Sequence, residues 1–488
     1  MLDTLYRTLR RDPERPALLG HSRGDEPRVI ARRGDIADLA DGYAAALYSR
    51  HGLRPGDTLG VAARPGLHTL AVMLAAHRLG LRVAALNPAA GPDVMRAGTQ
   101  LAAPSLIIAD ALVQAVAGWA APVARRARIA MPRLDELGPA VVTVGPRRMG
   151  CAPALETSGC APAPPFDVDE QSDAVIIFTS GTTAAPRAVV HSRASLAAGM
   201  RAVADLVGPN EGSIVLGGTF FVQLPALAGG ATVALPALSP GGLGRQIARL
   251  KPDETYLTPP EAREVRHFTG RVWLGSAPVS ARLLGRIRDA GATEAWGVYA
   301  MTECFPVSAV EYDEKAAFTA AGDLVGSPLP GVQAKVSETG ELLLTGAGVR
   351  DRYLGEEPDP WVRTGDRAMI TADGQIVLEG RCKDMVLRNA ENIYPGLYEP
   401  SLHLPDVESA LLVGIPDGDG DERLVAMIQA RIGADRKKLL EELEVPFARM
   451  GSARPDEVVF ATVPLKGRSR KPDREKAAQR CAKRLAKR

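Results

Sequence analysis

The sequence predicts an α/β protein: a large N-terminal domain built of α/β subdomains plus a small β unit, then a small α+β C-terminal domain. Three observations predict this. The chain has 488 residues, too many for one ordinary core. Short apolar strands alternate with amphipathic helices through residues 34–110 and again from Asp173. The pattern then changes twice, to short strands and turns over 322–380 and to a new α+β pattern after Arg381.

The elements follow in order. "GDIADLADGYAAALYSRHG" repeats Ile36, Leu39, Tyr43 and Leu47 at near-helical spacing and stops at a glycine. "GDTLGVAA" reads as a buried strand, "HTLAVMLAAHRLG" as a helix and "LRVAALNP" as another strand, the alternation of a helix-wound parallel sheet. Between Ala111 and Asp167 the chain is rich in Pro, Ala and Arg without a sustained period, and reads as a surface excursion. A second α/β run opens with strand "AVIIF", a loop, strand "AVV" and a helix carrying Leu196, Met200, Val203 and Leu206 on one face. "GELLLTG" and "ADGQIVLEG" supply the small β unit, and "VESALLVGIPD" with "RLVAMIQARI" the C-terminal part.

Bulk properties narrow the function. Apolar residues make up 46% and charged residues 24%, as in a water-soluble globular protein, and the net charge of +2 asks for neither nucleic acid nor an anionic membrane. The basic stretch Lys466 to Arg488 reads as a solvated helix end. Five scattered cysteines without CxxC spacing argue against a disulfide scaffold or structural zinc. No signal peptide and no apolar run long enough for membrane insertion is visible, so the expected location is cytoplasmic.

The row Thr179, Ser180, Gly181, Thr182 and Thr183 stands between two apolar strands, with Arg187 beyond it. Small residues let backbone N–H groups and hydroxyls approach a polyanion closely, and Arg187 adds a charge. The same row could be a plain polar turn; it is not a Walker loop. Phe220, Phe221, Val222, Val298 and Phe305 are candidates for an apolar pocket, and each is equally compatible with core.

Five segments together give a family resemblance. "FTSGTTAAPRAVVHS", "WLGSAPVSARLL", "YAMTE", "WVRTGDRAMITADGQIVLEGRCKDMV" and "ENIYP" are similar, in order and spacing, to the motifs of the adenylate-forming superfamily, which includes acyl-CoA synthetases. The resemblance runs from about Pro16 to Arg474. It implies an AMP-forming acyl- or aryl-CoA ligase with ATP, Mg²⁺ and coenzyme A. An apolar carboxylic acid would become acyl-AMP with loss of pyrophosphate, and the acyl group would then pass to the CoA thiol.

The same resemblance implies the roles. The hydroxyl row and Arg187 would hold the outer phosphates. Gly275, Ser276, Ala277, Tyr299, Ala300, Met301 and Thr302 would surround adenine and the α-phosphate, Tyr299 by stacking. Asp366 and Arg381 would hold the ribose, Asp366 as an acceptor of both hydroxyls. Glu303 would bind Mg²⁺, a hard cation that takes carboxylate oxygen. Lys471 would bridge the carboxylate and the α-phosphate, with Arg470 adjacent to it. Residues 1–382 would form the adenylate-forming domain and 383–488 a mobile domain hinged at Lys383. Its rotation would bring Arg388, Asn389 and Ala390 to a CoA channel. A homodimer is a candidate assembly.

The chain departs from the family pattern at Ala184, Arg187, Ala300 and Asn389-Ala390, where Gly, Lys, Gly and Gly-Gly are usual. A shortened segment at "TFFVQLPALAGG" and the stretch "TECFPVS" resemble the β-lactone synthetases, where the acyl-AMP meets its own hydroxyl. A third reading is an adenylation-impaired member that only receives acyl-AMP. No aspartate stands in the shortened segment to hold an α-amino group, which argues against amino-acid activation.

Overall fold

A computed structural model of the chain describes all residues except 21–26, 89–90, 127–130, 180–186, 238, 277–278, 321–322, 382–385, 394, 396–397, 403, 419, 467–470 and 487–488. Two large sheets carry most of it. The first has seven strands. Parallel strands Arg82–Ala85, Thr58–Ala62, Leu106–Asp110 and Ala140–Val144 adjoin Asp173–Thr179, which pairs antiparallel with Arg187–Ser192, and Arg352–Tyr353 pairs antiparallel with the latter at the edge. The second has eight strands. Its parallel centre is Arg271–Leu274, Glu254–Leu257, Ile214–Leu216 and Thr232–Ala234, and the antiparallel pair Glu294–Met301 and Cys304–Glu311 closes one edge. Near the N-terminus, Pro16–Gly20 and Arg28–Arg32 close the other edge.

Central strands such as Thr58–Ala62 are buried at every position, as expected where helices cover both faces of a parallel sheet. Helix Arg193–Val207 packs between the sheets. Its N-terminus is capped by Ser192, whose side chain accepts from the Ser195 amide, and Gly208 ends it in a left-handed conformation. Leu196 and Met200 of this helix are buried in one cluster with Val175 of the first sheet and Phe305 of the second. Burying each such side chain contributes roughly 1.5–3 kcal/mol.

The reading of 111–167 as a patternless excursion is corrected. The stretch holds helices Ala111–Ala117 and Ala121–Arg126, a 3-10 turn at Leu134–Leu137 and strand Ala140–Val144, which extends the first sheet. The run "AVVTV" is short and apolar with β-branched residues, but its Pro-, Ala- and Arg-rich surroundings hide it. Its register with Leu106–Asp110 is a long-range pairing that sequence period does not reveal.

Residues 323–381 form a five-stranded antiparallel sheet, as the turn-rich pattern predicts. Beyond it, hairpin Val386–Arg388/Glu391–Ile393, the three-stranded sheet Val407–Pro416, Glu422–Ala430 and Glu457–Phe460, and helices Arg436–Phe447 and Arg474–Leu485 enclose apolar clusters of their own. The hairpin turn places both Asn389 (φ 50°) and Ala390 (φ 64°) in the left-handed region. A two-residue turn with both φ values positive is the type that matches strand twist, and it favours Asn or Gly. Asn389 suits it; Ala390 pays for its Cβ. Replacing Ala390 by Gly should stabilise the C-terminal part by up to about 1 kcal/mol, offset in part by glycine's chain entropy. Denaturant midpoints and slower amide exchange over 386–393 would check this.

Candidate functional site

The site gathers at the C-terminal ends of the strands of the second sheet. Strand Arg271–Leu274 runs into Gly275 and Ser276. Ser276 adopts φ 68° and its hydroxyl lies 3.0 Å from the Tyr256 hydroxyl. At Gly275 a Cβ would stand 2.9 Å from that Tyr256 oxygen, so only glycine passes this point without displacing the ring. Tyr299, Ala300 and Met301 end the next strand, and Thr302 and Glu303 form its turn.

Residues far apart in the chain meet here. The Tyr299 hydroxyl donates to Asp366 Oδ2 at 2.7 Å, across 67 positions. Asp366 is buried, its amide donates to the Thr364 hydroxyl at 3.0 Å, and it is in strand register with Arg381. The side chain of Arg381, like those of Ser180, Gly181, Thr182, Thr183, Ala277, Lys383 and Lys471, lies outside the described residues. Lys471 is placed by its backbone alone, paired with Lys466.

The turn at 302–303 is tied to the first sheet. His191 Nε2 stands 2.8 Å from the Thr302 carbonyl, so that nitrogen carries the proton. The imidazole is fully buried, edge-on to Phe305 at 5.4 Å between ring centroids. Burial lowers its pKa, and the imidazole is held neutral. Glu303 is buried; its Oε1 accepts from the Tyr353 hydroxyl at 3.0 Å, and its carbonyl accepts the Arg350 amide at 2.7 Å. Burial, reinforced by the Glu303 charge, pushes the Tyr353 hydroxyl up to about 12, so it remains a donor. His191, Tyr353 and Arg350 escaped the sequence reading, since a lone His or Tyr in an apolar strand carries no pattern.

The phosphate-side candidates are split. Thr179 and Arg187 face each other in register, and residues 180–186 between them lie outside the described residues. The Arg187 guanidinium lies 3.8 Å from the centroid of the Tyr353 ring and pairs with Glu356 at 3.3 Å. That ion pair is half exposed and therefore weak, so an anionic ligand can compete for Arg187.

A cavity of about 390 Å³ opens beside the turn at Thr302. Gly275, Ser276, Ala300, Met301 and Thr302 line its top, and Phe221, Val222, Val298 and Phe305 its walls. Phe220 instead faces a neighbouring apolar cavity of about 650 Å³, which shares Thr219 and Phe221 with the first. Ala390 reaches the 390 Å³ cavity from the C-terminal hairpin. The Arg388 guanidinium donates to the carbonyls of Ser452 and Arg454 at 2.9 and 2.6 Å and pairs with Asp456, within the C-terminal part. Among the described residues no cluster of three His, Cys, Asp or Glu side chains forms a metal cage, and no helix is long and apolar enough to cross a membrane. Glu303 offers carboxylate oxygen, the donor type that suits Mg²⁺, with Oε1 already accepting from Tyr353.

The chain belongs to the AMP-binding enzyme family, whose model matches residues 5–354. It is 28% identical over 314 residues to a mitochondrial medium-chain acyl-CoA ligase of Bos taurus, covering 55% of this chain and 51% of that protein. It is 28% identical over 354 residues to the indoleacetate–CoA ligase of Aromatoleum aromaticum, covering 63% and 67%. The match thus spans about half the length of the bovine relative. In fold, it superposes on the amide bond synthetase McbA from Marinactinospora thermotolerans with a TM-score of 0.78 at 22% identity, covering 97% of this chain and 99% of that one. The o-succinylbenzoate CoA synthetase of Bacillus subtilis superposes with 0.76 at 18% identity, covering 97% of each.

A histidine held neutral by burial stabilises the fold while the unfolded chain is also neutral, above its ordinary pKa near ~6.5. As pH falls below that value the unfolded state gains a proton that folded His191 refuses, and stability drops. His191→Gln, which keeps an N–H donor for Thr302, should flatten the fall in stability between pH 7.5 and 5.5. Urea melts of both proteins at each pH measure it.

Proposed function

We propose that the chain is an AMP-forming acyl- or aryl-CoA ligase that activates an apolar carboxylic acid. The observation that carries this reading is the Tyr299–Asp366 hydrogen bond, with Tyr299 between Val298 and Ala300 in a strand whose flanking residues line a cavity walled by Phe221, Val222 and Phe305. A flat ring and a buried acceptor stand together, as adenine and ribose would need, and the neighbouring strand positions line an apolar-walled chamber suited to the acid. Two acyl-CoA ligases among the relatives support the acceptor.

In the first half-reaction an acid oxygen attacks the α-phosphorus of ATP, the bond to the β-phosphate oxygen breaks, and pyrophosphate leaves. The acid is already ionised at neutral pH, so no general base is needed. The protein aligns the reactants and neutralises the charge that develops. Thr302, whose carbonyl is pinned by His191, presents its hydroxyl to the α-phosphate. Thr179, Ser180, Gly181, Thr182, Thr183 and Arg187 hold the outer phosphates. Arg187 leaves Glu356 to do so. Glu303 would hold Mg²⁺, which screens phosphate charge when bound. Lys471 reaches both carboxylate and α-phosphate during this step.

In the second half-reaction the CoA thiolate attacks the acyl carbon and AMP leaves. Rotation of residues 383–488 about Lys383 exchanges Lys471 for the Asn389-Ala390 hairpin. Ala390 at the cavity wall supports reading this geometry as the thioester-forming arrangement. Arg388 then acts within the C-terminal part, as support for the hairpin rather than as a channel wall.

ATP-dependent pyrophosphate release across a panel of acids tests the first step, and CoA thioester formation followed by mass spectrometry tests the second. A thioester product supports the ligase. A lactone, or acyl-AMP without thioester, would redirect the reading to another fate of the anhydride. Lys471→Ala should lower pyrophosphate release by about 10²–10³-fold, the usual cost of one charge-stabilising donor. Lys383→Pro should stall only thioester formation, and equal loss of both steps counts against the hinge.

A further inference from the structure

The floor of the acid cavity is not apolar. Glu254 and Trp273 line it together with Tyr256 and Val207. Glu254 begins strand Glu254–Leu257 and is 5% exposed. Its Oε1 accepts from Arg271 Nε at 2.8 Å and from the same guanidinium's Nη2; its Oε2 accepts from Trp273 Nε1 at 2.7 Å. A carboxylate has about four acceptor positions, two on each oxygen. Among the described residues, three hydrogen bonds therefore leave Oε2 with capacity for a further donor. Arg271 already balances the charge, so that donor is neutral rather than cationic.

Placing a carboxylate in an apolar chamber is costly without full hydrogen bonding. Burial raises the Glu254 pKa, opposed by the bonds from Trp273 and Arg271. A chamber meant only for hydrocarbon would have no use for such a group in its wall. Its location is also informative. Glu254 is in register with Arg271, and Arg271 with Glu294, six residues before Ala300 at the rim. At ~3.3 Å per strand residue that is roughly 20 Å along the sheet, so Glu254 stands at the end remote from the nucleotide. Trp273 and Trp296 stack at 5.2 Å between centroids and hold this corner rigid.

We propose that the acid bound here is an extended molecule bearing a neutral hydrogen-bond donor, a hydroxyl or ring N–H, at the end away from its carboxyl group, and that Glu254 accepts that donor. Glu254 is then a specificity-determining residue. The inference rests on the reading of this cavity as the acid site.

The test uses the full chain and matched acids: para-hydroxyphenylpropanoate against phenylpropanoate, and ω-hydroxydecanoate against decanoate. Binding is read by tryptophan fluorescence, with ATP-dependent pyrophosphate release measured separately. In at least one pair the hydroxylated acid should bind at least about tenfold more tightly, since a buried acceptor discriminates against an analogue that leaves it unpaired. Glu254→Gln should bring the ratio toward one. Equal binding within both pairs overturns the proposal, as does an unchanged preference in Glu254→Gln; if that variant does not fold, the ratios of the unaltered protein decide. Hydroxyl-dependent binding without pyrophosphate release from any acid refutes the ligase reading and leaves the assignment of Glu254 standing. Release without hydroxyl preference does the reverse.

Discussion

The turn Thr302-Glu303 is held between two large sheets, and the geometry at the top of the cavity depends on how it is held. The second sheet supplies the turn, but its partners come from the first. His191 holds the Thr302 carbonyl and Tyr353 holds the Glu303 carboxylate, while the Arg350 amide closes on the Glu303 carbonyl. Strand Arg352–Tyr353 pairs with Arg187–Ser192, so both side-chain clamps sit on one edge of the first sheet. A buried hydrogen bond is worth only about 0.5–1.5 kcal/mol net, but orphaning a buried carbonyl or carboxylate costs more. The clamp therefore acts less as glue than as a penalty on any displacement of the turn.

The same economy recurs deeper in the cavity. Glu254, Arg271 and Trp273 come from neighbouring parallel strands, and each satisfies part of another's hydrogen-bonding capacity. Polar groups in an apolar wall persist only where rigid strands deliver all their partners at once. Both the rim and the floor of the chamber follow this rule, while the walls between them are carbon. Selection of a ligand by such a chamber is expected at its two ends.

The fold was legible where periodicity is strong and local. Residues 34–110 and 173–207 alternate strand and helix in the sequence as they do in space, because each element buries a face that its own spacing defines. The five-stranded sheet was legible from turn residues. Strand Ala140–Val144 was not, because five residues without a clear boundary signal acquire their meaning from the neighbour they pair with. At the site, Tyr299 and Asp366 were readable through motifs, whereas His191, Tyr353 and Glu254 were not. Each of those three works through one long-range contact, and a single residue type has no spacing to betray it.

By itself, then, the sequence determined the class of fold, the family, and the short motifs that the resemblance assigns to a nucleotide. These rest on local chemistry: small residues where a backbone must approach closely, and carboxylates where acceptors are needed. Only the tertiary structure decided which side chains were already engaged. It turned Arg388 into the core of the C-terminal part, laid Arg187 against Tyr353, and set a carboxylate in the floor of a chamber that its flanking residues described as apolar. Hydrogen-bond capacity is spent between strands far apart in the chain, and that expenditure depends on distance in space.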